Sequence, residues 1–132
     1  MSDSSGHPRG VLATRTLAMP GDANPQGDIF GGWVMSQMDV AGGITAIQRS
    51  GGRAVTAAVN GMSFHLPVYV GDVLAVYADI TTIGRSSMTV HVEAWAERGV
   101  SGEAAKVTEG TFVFVAIDES GRPRPVPNEV PK

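Results

Sequence analysis

The sequence predicts one α+β domain, in which an antiparallel β-sheet wraps around a single long helix. Hydrophobic residues follow a helical period in one stretch, residues 32–48, which is apolar on nearly all sides. One strand-like segment precedes this stretch, and four segments of alternating character follow it at hairpin spacing. A helix of this kind is normally buried, and the strands are the elements that would cover it.

The chain reaches the helix through one strand and one long turn. Residues 1–10 are polar, and we predict a flexible segment there. Val11–Ala18 alternates well enough for a strand, and the next nine residues, 19–27, are dense in turn formers. The predicted helix, Gly32–Gln48, stops at a Ser-Gly-Gly sequence, because glycine readily adopts the left-handed conformation that ends helices.

The second half of the chain is predicted to be strands. Glycine-containing turns separate the segments. The four predicted strands are Ala54–Phe64, Val73–Ile83, Met88–Glu97 and Val107–Ile117. A turn and an extended segment follow, so we assign one domain to residues 11–127 and a C-terminal tail to residues 128–132.

Composition excludes several classes of function. The 132 residues suit one domain, and the absence of cysteine excludes disulfides, thiolate catalysis and cysteine-ligated metals. A formal net charge of −3 argues against a nucleic-acid partner, and we interpret scattered arginines such as Arg49 as surface charges. Without an apolar signal-peptide core or a membrane-length apolar run, we expect a soluble cytoplasmic protein with no membrane partner.

Asp39 is the most informative residue, because it is the only ionised group within residues 32–47. A charge inside an apolar helix is costly unless a partner or a function compensates it. At helical spacing Asp39 shares a face with small residues, among them Gly32, Ser36 and Gly43. Such a face is unusual for a helix side that meets solvent. The helix alone does not decide whether Asp39 is solvated, structural or functional.

Glycines at the start of the helix form the second candidate feature. The N–H groups of Gly31, Gly32 and Trp33 would be unsatisfied there and suited to polarise a carbonyl group. Asp28, in the loop before them, is a site residue, a helix cap or a partner of the helix dipole. Gly32 and Asp39 lie roughly 10 Å apart along the helix axis. Either a water molecule fills that gap, or the two groups of one site come from two subunits.

Other chemistries are less well supported. The sequence around Ser63 begins like a nucleophile elbow but has His65 in place of the second glycine. His65 and His91 lack the spacing of metal ligands, so we predict no metal site.

The segment Gly27–Asp39 closely resembles the YciA-type acyl-CoA thioesterases of the hotdog-fold superfamily. The resemblance covers roughly Val11 to Pro127. Its other matching motifs are Arg15–Pro20, Val70–Val73, Gly84–Ser87 and Gly121–Arg124.

This resemblance implies a hotdog fold, with a long central helix wrapped by an antiparallel sheet, and homodimers that assemble into a homohexamer. It implies hydrolysis of acyl-CoA to a free carboxylic acid and CoA, with no metal or organic cofactor. Asp39 would act as general base or as nucleophile, and the backbone N–H near Gly32 would hold the thioester oxygen.

The resemblance also implies substrate-binding residues. The turn of Gly84, Arg85, Ser86 and Ser87 would contact the CoA phosphates, and Arg122 and Arg124 are weaker candidates for the same role. Asn24, Asp28 and Gly31 would shape the acyl or water site. A hotdog oligomer that binds acyl-CoA without cleaving it remains the alternative.

Overall fold

The structure consists of one long helix packed against a five-stranded antiparallel sheet. It is a computed structural model, which describes residues 6–131. A single 3₁₀ turn, Pro20–Asp22, lies in the loop before the helix. The strands and the helix, in chain order, are β1 (Val11–Leu17), α1 (Gly31–Ser50), β2 (Ala54–Phe64), β3 (Val73–Ile83), β4 (Ser87–Arg98) and β5 (Glu103–Ala116). The predicted α+β class is confirmed.

The predicted element bounds agree closely with the observed ones. Strands β2 and β3 have the predicted ends, and α1 begins one residue earlier and ends two residues later than predicted. The largest difference is the start of β5, at Glu103 rather than Val107. Residues 103–106 pair with the end of β4 across a hairpin, so cross-strand hydrogen bonding extends the strand beyond its alternating pattern.

The strands follow the order β1-β3-β4-β5-β2, and every neighbouring pair is antiparallel. Alternate residues of the three central strands form the core beneath α1. Strands β1 and β2 are the two edges of this sheet. Within residues 6–131, no helix is long and apolar enough to cross a membrane.

Gly42 determines how closely α1 approaches the sheet. A Cβ atom at this position would lie 2.8 Å from Cε1 and 2.9 Å from Cζ of Phe114. The Phe114 ring is buried and stacked on Phe112, with ring centroids 6.2 Å apart. The ring therefore packs where a side chain at position 42 would be, and it restricts the rotation of the helix.

The C-terminal end of α1 is closed by glycine and arginine. Gly51 has a φ of 75°, and its N–H donates to the Ile47 carbonyl, so the predicted glycine stop is confirmed. Arg124 donates from Nη1 to the Ser50 carbonyl at 3.0 Å and from Nε to the Ile117 carbonyl at 2.9 Å. The first bond satisfies a carbonyl at the helix end, and the second joins that end to the residue that follows β5.

The outer face of the sheet carries a buried carboxylate. Glu93 accepts hydrogen bonds from the Trp95 indole and the Arg9 backbone N–H, and its other oxygen lies 2.9 Å from Nε2 of His91. Burial by itself raises the pKa of Glu93, but these hydrogen bonds and the Lys106 charge together hold that pKa below its ordinary value. Glu93 is thus stabilised in its ionised form.

His91, Glu93 and Glu109 come together although their spacing in the sequence is not that of a ligand set. Their ligand atoms lie within 4.8 Å of one another. Both Glu93 oxygens already have hydrogen-bond partners, and the Lys106 ammonium lies 3.3 Å from Glu109 Oε2. We therefore interpret the group as an ion-pair network, and the prediction of no metal site stands as a prediction.

The predicted flexible segment falls partly outside the described residues, because residues 1–5 are not among them. Of the rest, Arg9 pairs with Asp79 at 2.8 Å and donates its backbone N–H to Glu93. This end of the segment lies against the outer face of the sheet.

Replacing Gly42 with alanine tests the packing of α1. We expect Gly42→Ala to lower the free energy of unfolding by about 1–3 kcal/mol, because the new methyl group overpacks a buried ring. Gly32→Ala is the matched control, since a Cβ there meets no atom within 4 Å. Urea unfolding of both variants checks this. Equal stability changes would contradict the proposed constraint.

Candidate active site

A cavity of about 360 Å³ opens beside the N-terminal end of α1. It is lined by Asn24, Asp28 and Gly31, three of the residues predicted from the sequence. Apolar residues, including Val34 and Phe64, line its other walls together with His65. The structure therefore brings the loop residues and the helix start into one place.

Two backbone N–H groups at the helix start have no acceptor among residues 6–131. The Trp33 N–H donates to the Phe30 carbonyl at 3.1 Å, which leaves the N–H groups of Gly31 and Gly32. Phe30 is the N-cap residue, and no side chain caps this end of the helix. The interpretation of Asp28 as a helix cap is therefore wrong, because the chain turns into the helix two residues after it.

Asn24 holds the loop that leads into the helix. Its Oδ1 atom accepts hydrogen bonds from the N–H groups of Gln26 and Asp28, at 2.9 and 3.1 Å. These bonds form a side-chain-stabilised turn. Its amide nitrogen makes no hydrogen bond within the described part of the chain, so this donor remains for a bound molecule.

Asp39 is half-buried on the side of α1 that faces β2. The Thr56 hydroxyl donates to Asp39 Oδ1 at 2.5 Å. A β-bulge interrupts the pairing of β2 with β5 between Thr56 and Ala58, and such bulges redirect side chains. The carboxylate is thereby oriented by a neighbouring strand.

Thr56 is a functional candidate that sequence reasoning missed. It lies in an ordinary strand pattern, 17 positions beyond Asp39. No local signal marks it, because the contact depends on the rotation of α1 against β2.

Asp39 and the helix start remain apart within one chain. Asp39 does not line the cavity beside Gly31. The separation along the axis is roughly 10 Å, as the helical rise requires. One chain therefore presents two halves of a catalytic arrangement rather than a closed site.

The structure brings only some of the predicted phosphate-binding residues to one cavity. Gly84 and Arg85 line a second cavity of about 410 Å³, together with Arg49 and residues 125–128. Ser86 and Ser87 stabilise this turn through backbone bonds, as their carbonyls accept from the N–H groups of Ala116 and Gly84.

Arg122 and Arg124 do not line this second cavity. The Arg122 backbone N–H bonds to the Asp118 side chain in the preceding turn. The Arg124 guanidinium donates to oxygens of Ser50, Arg53 and Ile117. Phosphate binding by these two arginines stays a prediction, and for Arg124 it would require release of the helix end.

Comparison with known proteins identifies the family. The model of the thioesterase superfamily matches residues 26–103, more than half of the chain. The chain belongs to the thioesterase superfamily. The matched region includes Gly31, Gly32, Asp39 and Thr56, so both halves of the arrangement lie within the part of the chain that defines the family.

Relatives of this chain match it over nearly its full length. It is 47% identical to the acyl-CoA thioester hydrolase YciA of Escherichia coli, over 98% of this chain and 100% of the relative. The predicted resemblance to YciA-type proteins is therefore confirmed.

Solved structures agree with this assignment. A hexameric thioesterase from Yersinia pestis has a TM-score of 0.89 and 50% identity, covering 92% of this chain and 99% of that one. A hexameric hotdog fold thioesterase of Campylobacter jejuni has a TM-score of 0.85 and 35% identity, covering 92% and 93%. The predicted hotdog fold is confirmed.

The hydrogen bond between Thr56 and Asp39 is testable in this thioesterase-superfamily member. We expect Thr56→Val to lower the turnover number by about 10-fold or more, because the hydrogen bond to the Asp39 carboxylate is lost. Thr56→Ser keeps the hydroxyl and should retain most activity. Steady-state kinetics with thermal unfolding as a folding control make the comparison. Equal losses in both variants would contradict the proposed role of the hydroxyl group, because serine keeps that group and valine does not.

Proposed function

We propose that the protein hydrolyses acyl-CoA thioesters to a free carboxylic acid and CoA. The observation that carries this proposal is the pair of unpartnered N–H groups at Gly31 and Gly32, exposed beside a cavity, on the same helix as an oriented carboxylate. Membership of the thioesterase superfamily makes the chain a thioester hydrolase, and its relatives include acyl-CoA thioester hydrolases.

In the proposed reaction Asp39 acts as general base. It takes a proton from a water molecule, whose oxygen attacks the thioester carbonyl carbon and forms a tetrahedral oxyanion. The N–H groups of Gly31 and Gly32 stabilise the oxyanion at the positive end of the helix dipole, and Asn24 supplies a further donor. Breaking of the C–S bond releases the CoA thiolate, which takes up the proton.

This chemistry needs a base, oxyanion donors and water, and we propose that no metal or organic cofactor takes part. CoA is a component of the substrate and the product. In this mechanism Thr56 is a positioning residue, because it contacts Asp39 and not the substrate.

We further propose that each complete site forms between two copies of the chain. Several large apolar side chains on or beside α1 are exposed, and the outer edge of β2 has no neighbouring strand within residues 6–131. The exposed apolar residues at the start of α1 and along it are Phe30, Met35, Val40, Ile44 and Ile47. Exposed apolar faces and unpaired edges are features that oligomers bury.

Two α1 helices packed antiparallel would place Asp39 of one copy near the Gly31 and Gly32 N–H groups of the other. This arrangement closes the separation of roughly 10 Å that one helix imposes. The relatives from Yersinia pestis and Campylobacter jejuni are hexameric, and we propose that homodimers of this chain likewise assemble into a homohexamer.

Hydrolysis is tested by the release of free thiol from short, medium and long acyl-CoAs. We expect Asp39→Asn to lower kcat by about 10²–10⁴-fold, because general-base catalysis is lost while substrate still binds. Asp79→Asn is the matched control, since Asp79 pairs with Arg9 on the outer face of the sheet.

A folded Asp39→Asn protein with nearly wild-type turnover would contradict the role of Asp39. Wild-type protein that binds CoA and cleaves no acyl-CoA would favour the non-hydrolytic binding function.

Mixed oligomers test whether one site uses two copies. Gly31→Pro removes one N–H donor, and proline suits the first helical position because Phe30 before it has extended geometry (φ −58°, ψ 136°). We expect this variant to lose about 10²–10³-fold in kcat, whereas Gly31→Ala, which keeps the N–H, loses much less.

Asp39→Asn and Gly31→Pro chains are then co-refolded with each other. In a shared-site dimer, one of the two sites of each mixed pair receives both wild-type groups, so activity returns. If both groups of a site come from one chain, every site keeps a defect and the mixture stays inactive.

A further inference from the structure

The cavity beside Arg85 has the charge of an anion-binding site. Two of the residues that line it, Arg49 and Arg85, are cationic, and no Asp or Glu is among its described lining residues. By contrast, the cavity beside Gly31 contains Asp28, and a third cavity, between α1, β1 and β3, contains Asp79. A cationic cavity on a chain with a formal net charge of −3 is a local feature of the fold and not a consequence of composition.

The two arginines come from distant parts of the chain. Arg85 lies in the turn between β3 and β4, and its side chain makes no hydrogen bond or ion pair with any of the residues 6–131. Arg49 lies in the last turn of α1, and its Nη1 donates to the Pro127 carbonyl at 2.8 Å. Its Nη2 lies 3.3 Å from the Asn128 carbonyl. These bonds use only part of the donor capacity of the Arg49 guanidinium.

The C-terminal segment Pro125–Asn128 lines the same cavity as the two arginines. The Val126 N–H donates to the Arg85 carbonyl at 2.8 Å, and the Val126 side chain is buried. Arg49 holds the next two residues of the same segment. The segment is thus attached both to the turn that carries Arg85 and to Arg49 at the end of α1.

We propose that Arg49 is a second phosphate-binding residue for acyl-CoA and that, with Arg85 and Pro125–Asn128, it completes a subsite for the phosphorylated nucleotide. This inference rests on the proposed function. Guanidinium groups bind phosphate oxygens through paired, charge-assisted hydrogen bonds. Arg49 also offsets the negative end of the α1 dipole, which would otherwise repel a phosphate there.

The distance along the helix suits one substrate molecule. Ten residues separate Asp39 from Arg49, which corresponds to about 15 Å along the axis. The pantetheine arm of CoA is a chain of about a dozen consecutive bonds and reaches roughly 15 Å when extended. A thioester beside Asp39 therefore leaves the phosphates within reach of the cavity.

The test compares three substrates with the same acyl group, carried on CoA, on 3′-dephospho-CoA and on pantetheine. We expect Arg49→Gln to raise KM for acyl-CoA by about 10-fold with little change in kcat, because a charge-assisted contact to the bound phosphates is lost. Acyl-pantetheine has no such phosphate, so its kinetics should not change. Arg85→Gln should show the same pattern, and Arg53→Gln, a nearby arginine outside the cavity, should leave all three substrates unaffected.

The acyl-pantetheine measurement separates binding from structural damage. If Arg49→Gln merely loosens the C-terminal segment, activity on acyl-pantetheine falls as well, and the proposal is wrong. Retention of the wild-type KM for acyl-CoA in Arg49→Gln would also overturn it. Arg49→Lys keeps the charge and should partly restore the KM for acyl-CoA.

Calorimetric titration with adenosine 3′,5′-bisphosphate provides a readout independent of turnover. We expect Arg49→Gln to weaken its binding by about 10-fold and the bisphosphate to compete with acyl-CoA. Binding without competition would mean a separate nucleotide site and would overturn the proposal.

Failure of this subsite is distinguishable from failure of the proposed function. If the protein hydrolyses acyl-CoA and hydrolysis does not depend on Arg49, the proposed subsite is wrong and the proposed function stands. If the bisphosphate binds in an Arg49-dependent way and no acyl-CoA is hydrolysed, the proposed function is wrong and the subsite stands.

Discussion

The close contact between Gly42 and the Phe114 ring is the constraint on which the rest of the site depends. Because the ring occupies the space of a side chain at position 42, α1 packs near the sheet with a restricted rotation. That rotation directs Asp39 towards Thr56 on β2. It also leaves the side of Gly32 open, since a methyl group on that residue would have no atom within 4 Å. One packing contact in the core thus restricts the helix rotation that orients Asp39 in the proposed site.

The two ends of α1 have opposite roles that follow from the helix itself. At the N-terminal end no side chain caps the helix, so the N–H groups of Gly31 and Gly32 are available to a developing negative charge. At the C-terminal end, Gly51 and Arg124 satisfy the last carbonyls. Arg49 adds a positive charge where the dipole is negative. The helix therefore offers an electrophilic end for the thioester and a cation-bearing end for the phosphates in the proposed mechanism.

Two carboxylates of this fold, those of Glu93 and Asp39, differ in the number of hydrogen bonds that they accept. Glu93 is buried, yet hydrogen bonds from Trp95, His91 and the Arg9 backbone keep its pKa low. Asp39 differs from it, because the structure gives it one short hydrogen bond and leaves it half-buried. A carboxylate with remaining acceptor capacity is suited to bind a water molecule, whereas both oxygens of Glu93 already have hydrogen-bond partners.

The sequence by itself determined the order and type of the elements, because hydrophobic periodicity and glycine turns are local properties. It also indicated the family, since Gly27–Asp39 is a continuous motif, and it made Asp39 a candidate site residue, since a lone charge stands out in an apolar helix. Only the tertiary structure decided that Thr56 orients Asp39, that Arg49 lies beside Arg85 and that Arg124 closes a helix end. Each of these contacts joins residues far apart in the chain, and its existence depends on helix rotation and strand register, which no local pattern encodes.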